Sequence, residues 1–125
     1  MNVPENLKYT EEHEWVKADG KIATIGITEH AQGELGDVVF VEMPTVGESF
    51  KKGAVVASIE AVKTVADVFL PVSGTITEVN EILNDAPETI NQDAFGEGWM
   101  FKVEMSDPSE LDDLLSAESY QSLIG

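Results

Sequence analysis

The stretch "SIEAVKTVADVFLPVSG", residues 58–74, places a single lysine, Lys63, between two runs of β-forming residues. Pro71 and Gly74 follow the second run and mark a turn, so the segment predicts a β-hairpin with Lys63 at its tip. An amine at the tip of a rigid hairpin projects clear of the body, where a modifying enzyme meets it in a reproducible geometry. The alternative is a solvated turn residue that discourages strand aggregation.

The rest of the chain alternates short apolar runs with Gly, Pro and Asp, which is typical of a mainly β protein. Residues 14–17 and 21–27 predict a hairpin around the turn sequence "ADG". The stretch "TEHAQGELG" predicts a short helix that Thr28 caps and Gly36 ends. Asp107 begins a helix predicted for residues 107–123.

The composition excludes several classes of function. The chain has 125 residues, which indicates one domain, and it has no cysteine, so disulfides and thiolate chemistry are impossible. Its net charge is −17, from 24 acids against seven lysines and no arginine. This charge disfavours nucleic acid and anionic membranes as partners, because both require clustered basic residues. It favours solubility, and it would also steer the chain toward basic docking patches.

No pattern of residues indicates a catalytic or metal site. The two histidines have no zinc-ligand spacing, and the nucleophile-elbow, P-loop and dinucleotide motifs are absent. Neighbouring carboxylates are expected by chance in so acidic a chain. The sequence therefore predicts no catalytic residues, no metal site and no active site of its own.

The sequence also carries an expectation about location. Its apolar runs are strand-sized, and its N-terminus is polar and acidic, unlike a signal or transit peptide. We expect a bacterial cytoplasmic protein, or a protein of the mitochondrial matrix if the source is eukaryotic. The lack of cysteine fits a reducing compartment.

Three blocks of the sequence resemble one family in order along the chain. "IEAVKTVADVFLPVSGTITEVN" is similar to the lipoyl-lysine motif of the glycine cleavage system H-protein family, with Glu60 and Lys63 at matching positions. "LKYTEEHEWVKADGKIATIGITEHAQGELGDVVFVEMPTVG" resembles its N-terminal half, and "INQDAFGEGWMFKVEMSDPSELDDLLSAESY" its C-terminal strand and helix. The chain departs from the family at Ala61, where Ser is usual, and at Ala94, where Pro is common.

The resemblance implies a fold and a role. The fold would be a lipoyl/biotinyl-type barrel-sandwich hybrid (hammerhead), mainly β, with short peripheral helices and a C-terminal helix. Residues 1–125 would form one lipoyl-carrier domain with its core at about 22–104 and the helical segment at 107–123. Such a carrier takes the aminomethyl group from the pyridoxal-phosphate glycine decarboxylase (P protein) to the tetrahydrofolate-dependent aminomethyltransferase (T protein). Dihydrolipoamide dehydrogenase (L protein) then reoxidises the lipoyl dithiol.

The resemblance also implies functional residues and further partners. Lys63 would carry lipoate through an amide, attached by a lipoate ligase or octanoyltransferase to a monomeric carrier. The residues implied in recognition by that enzyme are Glu60, Ala61, Val62, Asp67 and Gly74. Those implied in a cleft for the loaded arm are Glu12, Glu14 and Asp67. His13 and Trp15 are expected to pack in the core and support the first hairpin.

Two other carriers remain as alternatives, with an autonomous enzyme disfavoured by the missing motifs. A biotin carrier shares the fold class, and "EAVKT" resembles its attachment motif without the flanking methionines. The second alternative is an H-like protein that relays lipoate to other enzymes, or that serves as an unmodified binding module. The sequence barely distinguishes this protein from the glycine cleavage shuttle.

Overall fold

The computed structural model describes residues 2–125, which form two antiparallel β-sheets. The six-stranded sheet has the order β1-β2-β3-β9-β8-β5, and the three-stranded sheet has the order β4-β6-β7. The strands are β1 Lys8–Tyr9, β2 Glu14–Asp19, β3 Ile22–Ile27, β4 Val38–Glu42, β5 Ser49–Phe50, β6 Val55–Ala61, β7 Val65–Phe69, β8 Gly74–Val79 and β9 Phe101–Met105.

Short helices lie at the ends of these strands. They are α1 Glu29–Leu35, α2 Ile82–Asp85, α3 Thr89–Gln92, a 3-10 helix Pro108–Asp113 and α4 Ala117–Ile124. Together the two sheets, the short helices and the C-terminal α4 confirm the predicted fold class. No helix within residues 2–125 is long and apolar enough to span a membrane.

Local sequence explains the first elements. Gly20 has a φ of 62° in the turn that joins β2 to β3, as "ADG" predicts. The Thr28 hydroxyl accepts from the Ala31 N–H at 3.2 Å and caps α1. Gly36, with a φ of 79°, ends the helix, and the chain turns there into β4.

The predicted C-terminal helix is wrong in its extent. Residues 108–113 are 3-10 helical, and α4 begins only after Ser116. Between them, Leu115 exchanges two backbone hydrogen bonds with Tyr9, at 2.9 and 2.8 Å. This pairing with β1 uses backbone groups that a continuous helix would need. The predicted helix is therefore two short helical pieces, separated by a residue that pairs with β1.

The buried residues form two clusters. The larger, here called the main core, fills the space between the sheets and includes Ile25, Ile59, Ile76 and Phe101. The smaller, here called the terminal cluster, joins the two ends of the chain. It contains Val3, Leu7, Tyr9, Trp15, Ala117 and Tyr120.

Candidate functional site

Lys63 lies at the tip of the β6–β7 hairpin, where the sequence predicted it. The Ala61 N–H donates to the Thr64 carbonyl at 2.8 Å, which closes the hairpin around Val62 and Lys63. Both corner residues are exposed, and 75% of the surface of Val62 is accessible to solvent. Because β6 and β7 pair below the tip, the lysine is presented on a defined backbone.

The tip rests on the turn between α1 and β4. The Val62 N–H donates to the Asp37 carbonyl at 3.0 Å. The side chain of Lys63 lies along Gly36, and a Cβ built on that glycine would be 3.3 Å from the Lys63 Cε. Bare glycine backbone therefore makes room for the stem of the lysine.

Asn91 of α3 holds this turn in place. Its Nδ2 donates to the Gly36 carbonyl at 2.8 Å and to Gln32 Oε1 at 3.0 Å. Its Oδ1 accepts from the Val38 N–H at 2.9 Å. One side chain thus bonds both sides of the turn on which Lys63 rests. Sequence reasoning missed Asn91, because it lies 28 residues downstream in a segment without a distinctive pattern.

A cavity of about 180 Å³ lies between the β1–β2 loop, α1 and the β6–β7 hairpin. The three carboxylates that the resemblance implied, Glu12, Glu14 and Asp67, all line it. Its other lining residues are mainly apolar: His13, Ile27, Ala31, Glu34, Leu35, Ile59, Ala66 and Val68. We call this cavity the arm cleft. It combines an apolar wall with acidic groups, as a carbon chain ending in a cation would require.

Glu14 is the buried carboxylate of the arm cleft, with 2% of its surface exposed. It accepts hydrogen bonds from the Thr10 hydroxyl at 2.6 Å and from the Phe69 N–H at 3.2 Å. Burial raises the pKa of Glu14 to about 7, although these two hydrogen bonds oppose the shift. Glu14 therefore changes charge near neutral pH.

His13 and Trp15 lie on either side of Glu14 in the chain and have different surroundings. Trp15 is buried, and its Nε1 donates to the Ala94 carbonyl at 3.0 Å, in line with the expected packing role. His13 is half-buried, lines the arm cleft and has a φ of 70°. Burial, and secondly His30, lower the pKa of His13. Its position on the cleft wall was not predicted.

The residues implied in recognition by the lipoate-attaching enzyme are not all close to the tip. Glu60 is exposed between Phe40 and Val65 in the strand register, directly below the tip. Ala61 is buried beneath the tip. Gly74 lies in the other sheet, where a Cβ would collide with the Glu104 carbonyl oxygen. The packing of β8 on β9 alone accounts for glycine there.

Comparisons with known proteins identify the family. The family model described as Glycine cleavage H-protein matches residues 7–125. The chain belongs to this family. It is 55% identical to the glycine cleavage system H protein of Staphylococcus haemolyticus, over 100% of this chain and 99% of that one. The corresponding Bacteroides thetaiotaomicron protein is 52% identical, over 99% of this chain and 98% of its own.

A solved structure agrees with the assignment. The crystal structure of a glycine cleavage system H protein from Mycobacterium marinum superimposes with a TM-score of 0.91 at 38% identity. The match covers 98% of this chain and 99% of that one. The similarity therefore extends over both sheets and the C-terminal helix.

Membership in the family establishes the role of the protein. H proteins carry a lipoyl-lysine and shuttle intermediates of glycine cleavage between the P, T and L proteins. The protein is a carrier and not itself a catalyst. The predicted family, function and cofactor are thus confirmed, and the biotin-carrier alternative is set aside. Among residues 2–125, no cluster of side chains is arranged to hold a metal ion.

Proposed function

We propose that Lys63 is the residue that carries the lipoyl group, through an amide to its Nζ. The exposed tip supports this assignment, because the amine is accessible while the Asp37 carbonyl fixes the backbone beside it. When bound to Lys63, lipoate would supply a disulfide as the acceptor for the aminomethyl cargo.

We further propose that the arm cleft holds the loaded arm between partners. Asp67 is four positions after Lys63 in the chain, which is at most about 14 Å along an extended backbone. A lysine side chain extended by an eight-carbon acyl chain is of similar length. Ile27, Leu35 and Ile59 offer apolar surface to such a chain. The group is therefore compatible with the residues present.

The carboxylates of the arm cleft are proposed to hold the ammonium of the cargo. Glu14 is fixed by two hydrogen bonds, and Glu12 and Asp67 lie on the same cavity. A cation beside Glu14 favours the ionised carboxylate, and hydrogen bonds between charged partners are strong ones. Binding of the cargo would therefore release the proton that Glu14 holds near neutral pH.

The attaching enzyme is proposed to be a lipoate ligase or octanoyltransferase that contacts the tip. Glu60 of β6 and Val62 of the turn are exposed there, and Asp67 is exposed on the neighbouring strand β7. Ala61 and Gly74 are buried, so we propose that they act on recognition through the shape of the strands. We propose a monomer acting in the bacterial cytoplasm, in keeping with the bacterial relatives.

The domain division is also a proposal. We propose a single lipoyl-carrier domain over residues 1–125, with its carrier core at about 22–104. The main core supports this, because it is built from both sheets. The helical segment at 107–123 belongs to the same domain, because Leu111 and Leu114 pack against the main core while Ala117 and Tyr120 pack in the terminal cluster.

Intact mass after expression in lipoate-fed cells tests the attachment site. We expect a lipoyl-sized increment on the wild-type chain and none on Lys63→Arg. Lys52→Arg is the matched control, since Lys52 is also an exposed turn lysine, and it should gain the increment. An increment on Lys63→Arg, a biotin-sized increment, or no increment in a competent host would contradict the proposal.

A further inference from the structure

We propose that Tyr120 of α4 is a positioning residue that fastens two walls of the arm cleft to each other. The proposal rests on the role given above to that cleft. The β1–β2 loop supplies one wall and α1 supplies another. Tyr120 lies 107 residues after His13 of the first wall in sequence. Its hydroxyl nevertheless contacts both His13 and Thr28, the residue that caps α1.

The hydroxyl of Tyr120 joins His13 to Thr28. It lies 2.8 Å from His13 Nδ1 and 2.7 Å from Thr28 Oγ1. His13 is part of the cleft wall, and Thr28 is the cap of α1, through its bond from the Ala31 N–H. Tyr120 itself is fully buried, so its hydroxyl has no access to water as a substitute partner.

The backbone at His13 shows why such a fastening is needed. A φ of 70° is unfavourable for a residue with a side chain and persists only where the surroundings impose it. The His13 N–H donates to the Thr10 carbonyl at 3.1 Å, and its carbonyl accepts from the Thr28 N–H at 3.1 Å. The Tyr120 hydroxyl adds a bond to the ring. Without it, we expect the loop that carries Glu12 to loosen, together with the start of β2 at Glu14.

Tyr9 provides a matched control. The rings of Tyr9 and Tyr120 stack with centroids 4.7 Å apart and an interplanar angle of 10°. Both tyrosines are fully buried. The Tyr9 hydroxyl, however, donates to the Pro4 carbonyl at 2.6 Å and not to the two fastened residues. Replacing either by Phe removes one buried hydroxyl from the same stack, but only Tyr120→Phe removes the fastening.

The first experiment uses the unlipoylated full chain. Hydrogen exchange at the Thr28 amide, which donates to His13, should be about threefold to tenfold faster in Tyr120→Phe than in Tyr9→Phe, as expected for the loss of about one hydrogen bond. Equal exchange in the two variants would overturn the proposal. If Tyr120→Phe does not fold, the same comparison is made with His13→Phe, which keeps an aromatic ring beside His30 and lacks the Nδ1 that contacts Tyr120.

The second experiment uses the lipoylated chain loaded with cargo. Water cleaves the carbon–sulfur bond of the aminomethyl group, giving formaldehyde, ammonium and the thiol, so formaldehyde release measures how well the cargo is held. We expect Tyr120→Phe to speed release about threefold to tenfold and Tyr9→Phe to leave it unchanged. In a His13→Ala background, Tyr120→Phe should add little.

The outcomes separate this proposal from the one on which it rests. If Glu14→Ala speeds release but Tyr120→Phe does not, the fastening is wrong and the arm cleft stands. If neither variant changes release, the arm cleft itself is wrong. Equal acceleration by Tyr9→Phe and Tyr120→Phe would also overturn the fastening, because a general loss of packing would then explain both.

Discussion

The hairpin tip and the arm cleft are built in opposite ways. The tip is local, because one hydrogen bond between Ala61 and Thr64 closes a four-residue turn that contains Lys63. The lysine is exposed. The arm cleft is assembled from three distant segments around Glu14, which is buried. A carrier needs both, because attachment requires an accessible amine and retention requires shelter from water. The difference implies that changes near the tip affect attachment, whereas changes in the cleft affect retention.

Replacing Gly74 gives the largest expected effect, a loss of stability. It also tests whether lipoylation depends only on the residues of the hairpin tip. Gly74→Ala forces a methyl group against the Glu104 carbonyl between β8 and β9. We expect a loss of about 3 kcal/mol or more in the free energy of unfolding, measured by denaturant titration.

Gly33→Ala is the control for this change. Gly33 lies in α1 with open space around its Cβ position. Alanine there should leave stability unchanged or raise it by up to about 1 kcal/mol. If Gly74→Ala proves fully stable yet is not lipoylated, Gly74 is read directly by the attaching enzyme and the packing explanation fails.

The pH dependence of stability tests the burial of Glu14. Burial raises its pKa from the ordinary 4.5 to about 7, so the folded chain binds this proton more tightly than the unfolded chain does. Stability should therefore fall as pH rises from 4.5 to 7, relative to Glu14→Gln, by on the order of 2–3 kcal/mol. Denaturant titrations of both unlipoylated chains across this range measure the difference.

Glu60→Gln is the control for Glu14→Gln. It makes the same substitution, and so removes one glutamate, but at the exposed tip instead of the buried position. A stability difference between wild type and Glu14→Gln that stays constant from pH 4.5 to 7 would show that Glu14 is not desolvated. The contrast between a sheltered cleft and an exposed tip would then lose its main support.

Asn91 and Asn80 give the smallest expected effect and test how the tip is held. Asn91→Ala removes the bonds that fix the turn beneath Lys63, at a cost of about 1–2 kcal/mol. Asn80→Ala removes comparable bonds, to the carbonyls of Glu97 and Trp99. Hydrogen exchange at the Val62 amide should accelerate in Asn91→Ala only. Equal acceleration in both would mean that Asn91 has no particular link to the tip.

The same contrast explains what the sequence could predict. The Lys63 hairpin and the Thr28 cap depend on neighbouring residues, so their patterns are readable in one stretch. Glu12, Glu14 and Asp67 were named only from the resemblance, because their meeting depends on how distant strands pack. Asn91 and Tyr120 act through side-chain bonds across 53 and 107 residues, and no local pattern records such distances.

The rate at which the loaded arm loses its cargo tests the central claim most directly. Wild type and Glu14→Ala are lipoylated, loaded and compared by formaldehyde release at pH 8, with the extent of lipoylation read by intact mass. We predict equal lipoylation and release about tenfold faster in Glu14→Ala, from the loss of a charge-assisted hydrogen bond. Release at the wild-type rate would contradict the account, because the arm cleft would then not hold the cargo.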